Sequence, residues 1–249
     1  MRALLRLVAC LLLAALALQL FFILRIAAMA VIDPQSTAFQ RSEAWQIATR
    51  GRANGNKEWA QRWVPYSQIS DNLKRAVIAS EDGEFIHHNG VEWEAIENAR
   101  RRNARAEEIA ARRAAKAART GKPVRAPKLR GGSTITQQLA KNLLLSGERT
   151  LLRKGQELVL ATALELLLDK RRILEIYLNS VEWGEGVFGA EAAAQHYFKK
   201  PASRLSAYEA ARLAVMLPSP KFFEDRQGSG YLASRTSTIA ARMGAADLP

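Results

Sequence analysis

The densest group of ionisable side chains in the sequence is Ser80-Glu81-Asp82-Gly83-Glu84-Phe85-Ile86-His87-His88-Asn89-Gly90. Adjacent acids are ordinarily solvated, because ionised carboxylates resist burial. Here, however, Ile69, Leu73, Ala76, Val77 and Ala79 recur at helical spacing and lead straight into Glu81. A carboxyl at the buried end of such a helix has its pKa lifted toward working pH, which a general base needs. The second group is Gly131-Gly132-Ser133-Thr134-Ile135-Thr136-Gln137-Gln138-Leu139-Ala140-Lys141-Asn142. Ser133 reads as a natural N-cap. Thr134, Gln138 and Lys141 then fall at i, i+4 and i+7 on one stripe, while Ile135, Leu139 and Leu143 line another. A hydroxyl, an amide and an ammonium in a row suit a phosphate or a sugar hydroxyl, although an ordinary surface stripe has the same spacing. The third group, Arg153-Lys154-Gly155-Gln156-Glu157, opens a long helix. Arg153 and Glu157 stand at i, i+4, and a surface salt bridge is their plainest reading.

Helices must position these groups. Helical periodicity continues through Ile135–Leu145, Arg153–Leu168, Arg171–Leu178, Ala190–Tyr197 and Ala207–Leu217. No run alternates convincingly with period two, and no Gly-rich loop follows a strand. A Rossmann-type domain for a nucleotide-sugar donor is therefore not expected. The fold expected is mainly α, with no nucleotide cofactor. The single cysteine, Cys10, rules out an internal disulfide and a Cys-based zinc site.

Leu7 to Leu24 is an 18-residue apolar run broken only by Gln19. As a helix it would span about 27 Å, close to the roughly 30 Å hydrocarbon core of a bilayer. Arg25 follows, placed to snorkel to the outer interface. Arg2 and Arg6 precede the run, so the positive-inside rule puts the N-terminus in the cytoplasm and the rest of the chain outside. Ala28-Met29-Ala30 has the A-x-A form of a cleavage site, but the run is longer than a usual signal h-region. A retained single-pass anchor is the preferred reading.

The formal net charge of +13 is concentrated in one place: Arg100 to Arg130 holds 12 Lys/Arg against Glu107 and Glu108. No aromatic residue interleaves this run, so bases have no stacking platform and nucleic acid is not an expected partner. Ala99 to Arg119 reads as a very polar helix, and Thr120 to Leu129, with Gly121, Pro123 and Pro127, as linker. Beside a membrane such a run attracts anionic headgroups, at roughly 1 kcal/mol per basic residue near the surface. The organisation expected is a cytoplasmic N-terminus and anchor over 1–32, then a membrane-proximal linker over 33–65. A catalytic domain over 66–225, with a basic insertion at 99–130, and a C-terminal tail over 226–249 complete it.

In order along the chain stand E-D-x-x-F-x-x-H-x-G (Glu81 to Gly90), G-G-S-T-I-T-Q-Q-L-A-K-N (Gly131 to Asn142) and R-K-x-x-E (Arg153 to Glu157). K-R-R-I-L-E-x-Y-L-N (Lys170 to Asn179), G-x-x-G-A-E-A-A-A-Q-x-Y-F (Gly186 to Phe198) and L-P-S-P (Leu217 to Pro220) follow. These blocks resemble the family 51 peptidoglycan glycosyltransferases, the lysozyme-like domain of class A penicillin-binding proteins and their monofunctional relatives. The resemblance implies a lysozyme-like domain that joins lipid II to a growing glycan strand through a β-1,4 bond, with inversion and release of polyprenyl diphosphate. It implies Glu81 as general base and Glu157 as the second carboxylate, near the diphosphate and a divalent cation, Mg2+ or Mn2+. Lys141, Arg153 and Lys154 would neutralise the leaving group, and Asp82, Phe85, His88, Thr134, Gln138 and Asn142 would contact substrate.

Implied partners are lipid II, the nascent strand, membrane lipids and other cell-wall synthesis or division proteins. The implied location is the inner membrane of a bacterium, with the catalytic domain periplasmic. Two departures stand out. Glu84 occupies a place where relatives often carry a basic residue, and the stretch from Arg100 to Arg130 is longer than usual. A lytic transglycosylase or muramidase, which cuts the same polymer with a catalytic Glu, is the alternative. It would have no use for the Gly131 block or the Arg153/Glu157 helix, because cleaving a neutral glycosidic bond needs no diphosphate cage. No S-x-x-K occurs, so no transpeptidase activity is expected.

Overall fold

The computed structural model describes residues 1–49, 59–118, 131–145 and 150–249. Its framework is helical, as the periodicity predicts. Helix α1 (Arg2–Ala28) is apolar on every side and nearly all of it is exposed. Among the described residues it is the one helix long and apolar enough to cross a membrane. Its last turn behaves differently: Ile26 and, just beyond the helix, Met29 are buried in the domain core. The Arg172 side chain also donates to the Met29 carbonyl at 2.7 Å. Within the A-x-A sequence, Met29 is therefore packed against the domain while Ala28 and Ala30 stay exposed.

Of the segment 33–65, expected as a linker, the described parts 33–49 and 59–65 carry contacts to the domain. Helix α2 (Ala38–Thr49) starts at a reciprocal cap: the Thr37 N–H donates to Gln40 Oε1 at 2.8 Å, and the Gln40 N–H to Thr37 Oγ1 at 3.0 Å. The Gln40 amide also reaches the Ser180 carbonyl, and Lys221 pairs with Glu43. Further on, Asn179 brackets Val64, accepting from its N–H and donating to its carbonyl, both at 3.0 Å. Buried polar side chains of this kind need partners, which is why a stretch that looks polar in sequence is fixed in place.

The catalytic core packs two helical groups. Helix α3 (Asp71–Glu81), capped by Ser70, lies against α9 (Ala207–Met216) and α11 (Gly230–Arg242). Helix α5 (Ile135–Leu144) lies against α6 (Leu151–Leu167), α7 (Lys170–Ser180) and α2. Helix α4 (Trp93–Ala118) follows α3 in the chain, and of its described side chains Ala99 alone is buried. The linker expected over Thr120–Leu129 lies outside the described residues. The remaining helices are α8 (Ala190–Phe198) and α10 (Pro220–Glu224).

A small sheet, absent from the sequence reading, has the order β1-β3-β2. Strand β1 (Ala60–Gln61) is parallel to β3 (Val187–Phe188), and β2 (Glu182–Gly184) is antiparallel to it. Strands of two or three residues are too short to show a period. Gly189 follows at φ 83°, and a Cβ there would lie 2.8 Å from the Asn179 carbonyl oxygen, so only glycine fits this corner.

The expected C-terminal tail is part of the core. Leu232, Ile239, Met243 and Ala246 are buried, and α11 closes over α3, the helix that ends in Glu81. The physical reason is the apolar stripe Leu232, Thr236, Ile239 and Met243, at helical spacing behind the Ser229 cap. Ile239→Ala is predicted to destabilise the domain by ~2–5 kcal/mol, as expected for a fully buried side chain. Denaturant unfolding of the detergent-solubilised protein reads this out; a true surface tail would give no change.

Candidate active site

Glu81 is the last residue of α3, and the chain turns at Asp82, whose side chain is buried. The Asp82 carboxylate is the joint of the site. Its Oδ2 accepts the Ile135 N–H at 2.9 Å, one of the free donors in the first turn of α5, where the positive end of the helix dipole favours an anion. The His88 Nε2–H donates to Asp82 Oδ1 at 2.9 Å, and His88 Nδ1 accepts the Gly90 N–H at 3.1 Å. That pair of bonds assigns the imidazole as the neutral Nε2–H tautomer.

Thr134, rather than the expected Ser133, caps α5. Its Oγ1 accepts from Gln137 N–H at 3.1 Å, and Gln137 Oε1 accepts from Thr134 N–H in return. The same hydroxyl donates to the Gly90 carbonyl at 2.6 Å. The loop after Glu81 is therefore stitched to the start of α5 at Asp82 and at Thr134.

This stitching delivers Gln138 to Glu81. The Gln138 Nε2–H donates to Glu81 Oε2 at 3.0 Å, and Gln138 Oε1 accepts from the Tyr177 hydroxyl at 3.0 Å. Tyr177 is fully buried, so the amide is held in one orientation. Burial pushes the Glu81 carboxyl above the ordinary glutamate range, while its hydrogen bonds from Gln138 and Ser80 pull it back in part. Glu81 opens on a cleft lined by Asp82, Glu92, Arg102, Gly132 and Ser133.

The cationic group stands on the first turns of α6. Arg153 NH1 donates to Glu157 Oε2 at 2.9 Å, and Lys154 Nζ pairs with Glu157 Oε1. Lys154 also reaches the Ser133 hydroxyl at 3.4 Å, which ties this group to the wall of the Glu81 cleft. Arg153 keeps a buried Nε–H with no partner among the described residues. Two cations about one buried carboxylate leave a net positive group with a donor to spare, which can bind an anion.

A divalent cation fits this donor set poorly. Both oxygens of Glu157 are taken by Arg153 and Lys154, and a metal there would meet two positive side chains. Asp82, His88 and Glu92 bring ligand atoms within 4.8 Å of one another. Yet Asp82 is already spent on His88 and on the α5 N-terminus.

Glu81 and Gln138 are thus brought together at the cleft, and Lys154, with Arg153 and Glu157 beside it, reaches the cleft's wall at Ser133. Asn142 is half-buried and Lys141 exposed on α5. Four expected substrate contacts are packed or bonded within the protein, and two of them, Asp82 and Thr134, also line the cleft. Phe85 is wholly buried beneath the Lys170 ammonium, which lies 4.6 Å from the ring centroid; Asp82 and Thr134 are buried and bonded within the protein. His88 also faces inward, onto Asp82. The motif alone does not show which of its members face the cleft and which brace it from within.

Tyr177 and the brace formed by Lys170 with Glu165 and the His88 carbonyl escaped the sequence reading. The available signal for Tyr177 was a phenol on the otherwise aliphatic face of Ile173, Leu174 and Ile176.

Comparison with known proteins identifies the family. The sequence pattern of the Transglycosylase family matches residues 48–244. The chain is 54% identical to the biosynthetic peptidoglycan transglycosylase of Burkholderia thailandensis, over 94% of this chain and 83% of that protein. It is 53% identical to the protein of that name from Burkholderia pseudomallei, with the same coverage. The one from Paraburkholderia xenovorans is 51% identical, over 94% of this chain and 88% of its own length.

Gln138→Leu would remove the amide that favours the charged form of Glu81, so the carboxyl is predicted to titrate at still higher pH. Selective 13C labelling of glutamate and a pH titration measure this. An unchanged midpoint would mean that the amide does not act on Glu81.

Proposed function

The chain belongs to the Transglycosylase family, and we propose that it polymerises peptidoglycan glycan strands from lipid II. The carrying observation is a carboxyl with a raised pKa in a cleft whose wall also touches a cationic group with an unused donor. In this reading Glu81 takes the proton from the 4-hydroxyl of the incoming lipid II. The freed oxygen attacks C1 of the growing strand, the C1–O bond to the diphosphate breaks with inversion, and the electron pair leaves with polyprenyl diphosphate. A β-1,4 bond remains.

The carboxyl suits the base role because it is lifted toward working pH yet still held as an acceptor by Gln138. A diphosphate leaves well once its charge is met, which is the work of Arg153 and Lys154, with Lys141 and Asn142 further along α5. Glu157 keeps the two cations pre-oriented, so their alignment costs little when the diphosphate arrives. Lytic cleavage is not favoured: a neutral glycosidic bond would leave the cationic group on α6 without a role.

The setting we propose is the bacterial inner membrane, crossed once by α1 with Arg2 and Arg6 on the cytoplasmic side and the catalytic domain periplasmic. Contacts with other cell-wall synthesis or division proteins belong to the same proposal, since strands must be cross-linked after they are made. The chain carries no S-x-x-K, in keeping with a glycosyltransferase that has no transpeptidase activity.

Glu81→Gln is predicted to fold normally and to lose polymerisation of fluorescent lipid II by ~10²–10⁴-fold. An active variant would remove Glu81 from the base role, and soluble muropeptides released from sacculi would point to lytic chemistry instead. The pH profile follows from the sign of the shift. A base works only when deprotonated, so a raised pKa moves the acid limb up, and the wild-type rate falls at a higher pH than it would for an ordinary glutamate.

A further inference from the structure

From Met1 to Phe21 every residue of the anchor is exposed except one, Gln19. It is also the sole polar residue between Leu7 and Leu24. Its side chain meets Gln156 on α6 in a reciprocal amide pair. Gln19 Nε2 donates to Gln156 Oε1 at 2.9 Å, and Gln156 Nε2 donates back to Gln19 Oε1 at 3.0 Å. Gln156 stands beside Glu157 and three residues after Arg153, within the turns that carry the cationic group.

Gln19 lies five residues before Leu24, about 7.5 Å along the helix axis, and so inside the apolar stretch. The outward face of α6 at this level is apolar too: Leu151 and Leu152 are 93% and 86% exposed, and Val159 and Leu166 are also exposed. In hydrocarbon, leucine and alanine surfaces give a helix no reason to choose one rotation over another, and interhelical polar contacts supply the specificity. An unpaired amide there is costly.

We propose that the Gln19–Gln156 pair is a positioning lock. It fixes the rotation and depth of the anchor on α6, and so holds Arg153 and Lys154 at the height where the diphosphate of a membrane-embedded donor sits. The substrate cannot adjust its own height, because its polyprenyl tail is committed to the hydrocarbon. The inference rests on the polymerase reading for its consequence, though not for its geometry.

The test uses the full-length protein in proteoliposomes. Gln19→Leu and Gln156→Leu are each predicted to lower kcat/KM about tenfold on lipid II with its full-length tail. A short-chain, water-soluble lipid II analogue, which does not depend on bilayer depth, is predicted to react at the wild-type rate. Equal loss on both substrates would make the pair a general structural contact and overturn the proposal, as would no loss on either.

A second measurement needs no activity. In a Cys10→Ala background, Gln19→Cys with Gln156→Cys should cross-link with a short bismaleimide in the membrane, whereas Leu18→Cys with Gln156→Cys should not. Equal cross-linking at both positions would show that the anchor rotates freely and would overturn the lock. A wild-type protein that made no polymer, yet cross-linked selectively at position 19, would instead sink the polymerase reading and leave the register intact.

Discussion

The site depends on one buried carboxylate that performs no chemistry. Asp82 sits where α3 ends and, through the Ile135 N–H, where α5 begins. Two helices meeting at one anion have little freedom to slide, because either shift would leave the anion or the helix terminus unpaired in the interior. That constraint is what sets Gln138, on the first turn of α5, 3.0 Å from Glu81 on the last turn of α3. His88 and Thr134 then close the intervening loop onto the same point, so the base is held from the helix side and from the loop side.

The division of labour between helices follows from electrostatics. A general base must be deprotonated to act yet basic enough to draw the proton, and a cation within contact distance would lower its pKa and blunt it. Here the arginine and lysine stand on α6 and are satisfied by Glu157, which keeps their charge off Glu81. Ser133 links the two regions without joining them: its hydroxyl meets Lys154, while its backbone belongs to the wall of the Glu81 cleft. The cationic group is thus near enough to serve a leaving group in that cleft, yet coupled first to its own carboxylate.

Much of this was legible in the sequence, for reasons that differ by element. The helices α5, α6, α7, α8 and α9 could be read from periodicity because each buries one apolar stripe. Glu81 could be read because an apolar helix ends on it. The inward turn of Phe85 could not, since the spacing of a motif does not say which of its members face a ligand. The cap at Thr134 was missed by one residue because Ser133 and Thr134 are both good caps; the choice between them is made by Gln137, which only Thr134 can reach in a reciprocal cap. The last helix is hard to read from sequence because its stripe is diluted by Thr236 and by small residues, although Leu232 and Ile239 are fully buried against the core.

The basic insertion divides into two parts with different physics. At its base, the Glu92, Ala95 and Arg102 side of α4 lines the Glu81 cleft. There Gly132 lets the backbones touch: a Cβ on it would fall 3.0 Å from the Ala95 carbonyl oxygen. Beyond that base the helix is solvated, held by i, i+4 pairs such as Arg101 with Glu97 and Arg112 with Glu108, each worth only a few tenths of a kcal/mol. A helix with so little burial cannot owe its place to packing. Its position is set at the cleft end, by the glycine contact, so the basic residues described on α4 are attached to the active site at one end rather than spread over the domain. The high net charge that first suggests a general basic surface is concentrated in one stretch of sequence, Arg100 to Arg130, and the helix that opens it is rooted beside the carboxyl that the rest of the fold is arranged to hold.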